Sequence, residues 1–148
     1  MVRHGYSMVE LLVVVLILAV LTCLAAPRLR FDAVSKVNAE AVARRIGMDL
    51  RLARSRAILR AVQSPAGCAL NMTGSEPYRG YDIVDLDDSS VIASHDLPAG
   101  VRCTGGQHFE FNSLGELKEG SDTQLQVSSQ GRTLTLSVLP ATGTIKCL

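Results

Sequence analysis

Hydrophobic positions along this chain change period twice. From Leu11 to Ala26 they run almost unbroken, with one acidic residue, Glu10, at the head. As a helix rising 1.5 Å per residue, Met8 to Ala26 spans about 28 Å. That is close to one hydrocarbon thickness of about 30 Å. The pattern predicts a transmembrane helix over 6–27, with a kink at Pro27, whose ring removes one hydrogen bond. Apolar residues then recur at mostly three- and four-residue spacing: Val34, Val37, Val42, Ile46, Leu50, Ala53 and Ala57. That is one stripe on an amphipathic helical stem over 28–63. Gly47 interrupts it, at up to about 1 kcal/mol relative to Ala. Ser64-Pro65-Ala66-Gly67 ends it.

Beyond Gly67 the period falls towards two. Cys68–Met72, Gly80–Leu86, Val91–Ala93, Leu97–Cys103, Phe109–Phe111, Leu125–Val127, Leu134–Val138 and Gly143–Cys147 read as short extended pieces. Ser129-Gln130-Gly131-Arg132 between two alternating runs is a hairpin signal. Short strands and Gly-rich turns predict a β domain over 64–148, an antiparallel sheet or sandwich carried on the helix. The fold class is α+β. With the first 27 residues set aside, about 120 remain, enough for one modest domain.

Charge sharpens this division. The net charge is +1, yet residues 28–62 hold nine Lys/Arg against three Asp/Glu, and residues 63–148 hold five against ten. The stem is basic and the domain acidic. Arg44, Arg45, Arg51, Arg54, Arg56 and Arg60 are read on the side of the stem away from the apolar stripe. There they form a solvated face, a contact for acidic neighbouring subunits, or a phosphate contact. Cys23 sits in the apolar run as a small hydrophobe. Cys68, Cys103 and Cys147 allow one disulfide in an oxidising compartment, with the pairing undetermined. No Cys-x-x-Cys or Cys/His cluster is present, so no structural metal is expected.

Glu10 demands an explanation. A charge at the centre of a membrane helix costs roughly 2.5–3.5 kcal/mol, and less near the end. Its context is Arg3-His4-Gly5-Tyr6-Ser7-Met8-Val9-Glu10-Leu11-Leu12. A short polar leader ends in Gly, an aromatic follows, and Glu comes four residues later. This resembles the class III signal of type IV prepilins and type II secretion pseudopilins. The resemblance implies cleavage between Gly5 and Tyr6, which removes a leader of residues 1–5, and N-methylation of Tyr6. It also implies a role for Glu10 in neutralising the new amine of a neighbouring subunit, and retention of the helix past Pro27. Tyr6 stands where Phe is more usual. Against this stand a plain membrane anchor, and a secretory signal cut after Leu24-Ala25-Ala26, which Pro27 disfavours. Charge alone leaves the orientation open, since Arg3 precedes the span and Arg28 and Arg30 follow it. The resemblance implies a cytoplasmic N-terminus and a periplasmic domain.

Later segments narrow the resemblance. Asp49–Ile58, Leu97-Pro98 with Gly100-Val101, Phe109 and Phe111-Asn112 with Gly115, and the closing Gly143-Thr144-Ile145-Lys146 are similar to the GspH/FimT group. Its members are minor pilins or minor pseudopilins that help to start assembly. The implied partners are other minor and major pilins or pseudopilins, the prepilin peptidase/methyltransferase, an inner-membrane assembly platform, and membrane lipid. The implied location is the bacterial inner membrane and then a filament, of a pilus or a secretion system.

Other chemistry is sparse. His4, His95 and His108 are isolated, with no nucleophile elbow. Gly105-Gly106 is not followed by a phosphate-loop Lys. Asp82, Asp85, Asp87 and Asp88 lack EF-hand spacing and read as a solvated strand end and turn. No enzyme activity and no cofactor are expected. Some FimT-type pilins bind DNA through a Gly-Arg-x-Arg tail, but Gly143-Thr144-Ile145-Lys146 keeps only the Gly and one charge. DNA is not an expected partner, and a DNA-binding minor pilin or a simple anchored β domain are the alternatives.

Overall fold

The computed structural model describes residues 8–25 and 31–148, with side chains over 8–22 and 38–148. The chain divides into two compact units, with the boundary between Ala33 and Val34. Among the described residues two helices, α1 (Met8–Ala25) and α2 (Phe31–Leu59), precede eight strands. These are β1 (Cys68–Thr73), β2 (Gly80–Asp85), β3 (Val91–Asp96), β4 (Arg102–Gly105), β5 (His108–Phe111), β6 (Gln124–Ser129), β7 (Arg132–Leu139) and β8 (Thr144–Cys147). All pairings are antiparallel. The strands form two four-stranded sheets, β3-β2-β1-β5 and β4-β6-β7-β8.

Alternation builds the core. Leu70, Met72, Tyr81, Ile83, Phe109 and Phe111 point inward from the first sheet, and Cys103, Leu125, Val127, Leu136, Val138 and Ile145 from the second. Into the same core α2 sends Val42, Ile46, Leu50, Ala53 and Ala57, as the 3.6 period predicts, together with Ala39 and Ala43. Val34 and Val37 of the predicted stripe lie outside the described side chains. The β6–β7 hairpin closes through Gln130 (φ 39) and Gly131 (φ 81). Two successive positive φ values are the type I′ turn that matches the twist of the flanking strands.

Two boundaries differ from the sequence reading. Most of the expected extended piece Leu97–Cys103 is a turn. Pro98 has no N–H for a ladder, and the Val101 amide closes onto Pro98 O at 3.2 Å. The stem helix ends at Leu59 rather than near Val62, in turns whose Gln63 and Ser64 amides both reach Arg60 O.

Candidate assembly site

Of the positions singled out by the leader motif, Gly5, Tyr6 and His4 lie outside the described residues, as does Pro27. Glu10 is exposed in the first turn of α1. The positive end of the helix dipole favours a carboxylate there. From Leu11 to Leu21 the large aliphatic side chains of α1 are each half or more exposed, on every side of the helix. A helix apolar all round is stable only where something apolar surrounds it. Thr22, the one hydroxyl among these described side chains, bonds back to Leu18 O (2.9 Å) and Ala19 O (2.8 Å). That satisfies it without water. At 18 residues α1 is about 27 Å long. Among the described residues no helix is long and apolar enough to cross a membrane.

The arginines of α2 do not form the separate face that the sequence suggested. Arg45 donates to His95 Nδ1 at 2.9 Å, Arg54 to Gly115 O at 2.9 Å, Arg51 to Ile145 O at 3.4 Å, and Arg60 to Asp85 at 3.3 Å. Four of the six therefore reach sideways and tie the helix to the β strands and their loops. Arg44 pairs with Glu40 at 2.7 Å, and Glu40 also faces Arg132 at 3.7 Å. Beside Arg45, Tyr81 donates to Asp49 at 2.6 Å, and Asp49 faces His95 Nε2 at 3.7 Å. Burial, then the Asp49 carboxylate, pushes the Tyr81 phenol far above its ordinary range.

The aspartates of the β2–β3 turn also depart from expectation. Asp85 is buried, not solvated. It accepts hydrogen bonds from Arg60, the Ser64 hydroxyl (3.2 Å) and the Asp87 amide (3.2 Å). Asp87 in turn accepts from the Ala66 amide at 3.1 Å. Exposed Asp88 is held below its usual range by the Ser90 hydroxyl and amide. These groups lock the end of α2 to the turn. Among the described residues no group of three or more His, Cys, Asp and Glu could hold a metal.

His108 and His95 both have structural partners. His108 Nδ1 lies 2.5 Å from Asn71 Oδ1, and its Nε2 lies 3.2 Å from Glu110. Glu110 also pairs with Lys118. Burial alone would raise the Glu110 carboxyl, but its bonds to Lys118 and His108 outweigh that and lower it.

Among the described side chains Cys68, Cys103 and Cys147, for which the sequence allowed one bridge, are free thiols. The topology separates them. Cys103 and Cys147 lie on β4 and β8, with β6 and β7 between them. Three strand spacings of about 4.8 Å make roughly 14 Å, against a limit near 7 Å between bridged Cα atoms. Cys68 opens β1, whereas Cys103 bridges to Tyr78, beside the Thr73 end of that strand. Five residues of strand, about 16 Å, separate those ends.

Gly143 has a structural role. It has φ 60, and a Cβ there would lie 2.1 Å from Gly115 O. Its place in the chain is explained by a close backbone approach.

The feature that the sequence reading passed over is on the outer side of α2. Met48 (58% exposed), Leu52 (42%) and Leu59 (81%) line up there, with Val62 just past the helix end. Their four- and three-residue spacing through Ser55 is the signal in the sequence, beside the longer stripe that the core buries.

No family model and no curated protein matches this chain. Among solved structures, the chain is similar to the type IV minor pilin FimU of Pseudomonas aeruginosa strain PAO1. The TM-score is 0.61 at 19% sequence identity, covering 76% of this chain and 90% of that one. The fold is therefore pilin-like: α+β, with two helices and two antiparallel sheets among the described residues.

Proposed function

We propose that this chain is a non-catalytic minor pilin or pseudopilin. It is cut between Gly5 and Tyr6, methylated on the Tyr6 amine, and built into a type IV pilus or a type II secretion pseudopilus through its N-terminal helix. It acts in priming or capping the filament. The observation that carries this reading is Glu10, four residues after Tyr6, heading a helix whose apolar side chains are exposed all round. The pilin-like fold that follows is independent support.

The chemistry is electrostatic. Cleavage creates a cationic amine at Tyr6 in an apolar setting. A Glu10 carboxylate on an adjacent subunit neutralises it. At about 4 Å and an effective dielectric near 20, two unit charges attract by about 4 kcal/mol. Each charge also lowers the other's burial cost. Pairing therefore fixes the register of one helix against the next. Before assembly the sequence-predicted segment 6–27, about 33 Å as a helix, anchors the protein in the inner membrane with its β domain in the periplasm. Its partners are other pilins or pseudopilins, the prepilin peptidase/methyltransferase and the inner-membrane assembly platform. DNA binding is disfavoured, because most stem arginines are engaged by the β domain and the tail keeps one cation, Lys146.

The test is the mass of the mature protein from membranes. Loss of Met1–Gly5 with gain of one methyl group is expected. An intact N-terminus refutes the proposal.

A further inference from the structure

We infer that β3 is an acceptor edge: an extended segment of a partner protein, in which Lys or Arg alternates with apolar residues, adds to the first sheet beside it. The inference uses the β domain alone and does not rest on the filament reading.

Of the four strands at sheet edges, three have their outer side occupied. Along β5, the amides of Lys118 and Asp122 bond to Glu110 O and His108 O, each at 2.8 Å. Beside β4, Tyr78 N bonds to Cys103 O at 3.0 Å, and Glu76 accepts from the Gly105 amide at 2.6 Å. Over β8, Arg51 donates to Ile145 O at 3.4 Å. Among the described residues the backbone of β3 bonds to β2 and to nothing else.

The register identifies the free groups. Leu97 N donates to Arg79 O at 2.8 Å, two residues on from the Tyr81–His95 pair. Alternate pairs of an antiparallel ladder exchange hydrogen bonds. His95 and Ala93 therefore bond toward β2, and the N–H and C=O of Ser94 and Asp96 face away from it. Natural edges are blunted by Lys, by Pro, by bulges or by a covering segment. Val91-Ile92-Ala93-Ser94-His95-Asp96 has no Lys and no Pro, and its one register shift, opposite Ile83 and Val84, lies at its start.

Charge and shape select the occupant. Residues 80–96 hold five Asp and no Lys or Arg. Asp85, Asp87 and Asp88 are engaged within the domain. Asp82 and Asp96 have no hydrogen bond or ion pair among the described residues, and Arg79, just before the hairpin, pairs with neither. Asp82 lies opposite Ser94, and Gly80 opposite Asp96, so both carboxylates share one sheet face. An added strand sets its own residues beside them, where cations are favoured. Toward α2, a groove of about 380 Å³ opens at the end of β3, lined by Ala41, Val42, Arg45, Tyr81, Leu97 and Pro98. Arg45 is engaged by His95, which leaves a mainly apolar recess for the opposite side chains. In strand addition the main chain supplies affinity and alternate side chains supply selectivity. A second copy of β3 would bring two aspartate-rich hairpins together, and like charges disfavour that.

The probes are peptides of about nine residues that alternate Lys and Val. A twin carries Glu for Lys, and a scrambled peptide keeps the Lys/Val composition. Two further peptides are N-methylated at alternate amides, in sets offset by one residue. Each is titrated by fluorescence anisotropy against the full-length chain in non-ionic detergent. The Lys/Val peptide should bind at least about tenfold tighter than the twin or the scrambled peptide, and added salt should weaken it. One N-methylated set should abolish binding and the other should spare it, because only alternate amides of a strand face its neighbour. Ser94→Pro removes an outward N–H, a place where an edge strand tolerates Pro. It should cost at least about tenfold in affinity, and so should Asp96→Lys, which should also strengthen the Glu twin.

Absence of binding, equal binding of the scrambled peptide, or the same effect from both N-methylated sets overturns the inference. So does indifference to both substitutions. A self-associated chain, seen by sedimentation, that Ser94→Pro turns monomeric would give the edge to a second copy and overturn the basic partner. The N-methylated peptides need no variant of the protein, so the test stands even if Ser94→Pro fails to fold.

Discussion

Cys103 is fully buried on β4, and loss of water around its thiol pushes its pKa up to about 12. Cys68 is pushed up to about 11, by burial first and the nearby Asp85 charge second. Thiols held protonated in this way are poor nucleophiles. They do make stability depend on pH. The folded pKa of Cys103 exceeds the unfolded value of 9.0. Its contribution is complete below pH 9 and fades as pH rises toward the folded value, because the unfolded chain loses its proton first. Cys103→Ala leaves a small cavity and should lower stability by about 1 kcal/mol at neutral pH. The variant lacks the alkaline loss, which for the wild-type thiol amounts to about 2 kcal/mol by about pH 10.5. The gap between the two proteins should therefore close and reverse between these conditions. All other groups titrate alike in both chains, so urea denaturation at the two pH values isolates this thiol. A constant gap would contradict it.

At the level of the element, α2 shows what periodicity can and cannot say. The buried stripe Val42, Ile46, Leu50, Ala53 and Ala57 was legible because spacing alone sets which side of a helix a residue occupies. The arginines were misread because spacing does not set reach. Arg45 and Arg54 leave the helix sideways, and their long stems carry the guanidinium to His95 and Gly115. In the same way, Gln130-Gly131 announced the β6–β7 hairpin locally, whereas the burial of Asp85 depends on Arg60 and Ser64, over twenty residues away. The outer seam of Met48, Leu52 and Leu59 was written in the same spacing as the core, but the sequence does not say which of two stripes is covered. Gly47 supplies a prediction at this scale. It lies beside a groove of about 370 Å³ lined by Ala43, Met48, Leu136, Ile145 and Cys147. A Cβ there would meet Leu136 at 3.6 Å and Ile145 at 3.9 Å, ordinary contact distances. Gly47→Ala should therefore gain helix propensity without a clash. The denaturation midpoint should rise, equivalent to about 0.5–1 kcal/mol.

At the level of the whole molecule, the division between Ala33 and Val34 separates two kinds of failure. Glu10 is exposed in the first unit and is not a member of the core of the second. Surface substitutions away from buried features usually change stability by no more than about 0.5 kcal/mol. Glu10→Leu should leave the cooperative unfolding of the β domain unchanged within about 0.5 kcal/mol. It should nonetheless remove the chain from filaments, because a bare amine next to an alkyl side chain is left uncompensated. Asp85→Ala should do the opposite. It orphans the Ser64 hydroxyl and the Asp87 amide, which costs about 1–3 kcal/mol of stability. The domain that still folds should enter filaments in proportion to its amount. Unfolding curves and filament content measured on both variants form a crossed pair. If Glu10→Leu is incorporated at the wild-type level, the charge at the head of α1 has no part in assembly. If Asp85→Ala blocks incorporation beyond its effect on abundance, the β2–β3 turn is itself part of the assembling surface.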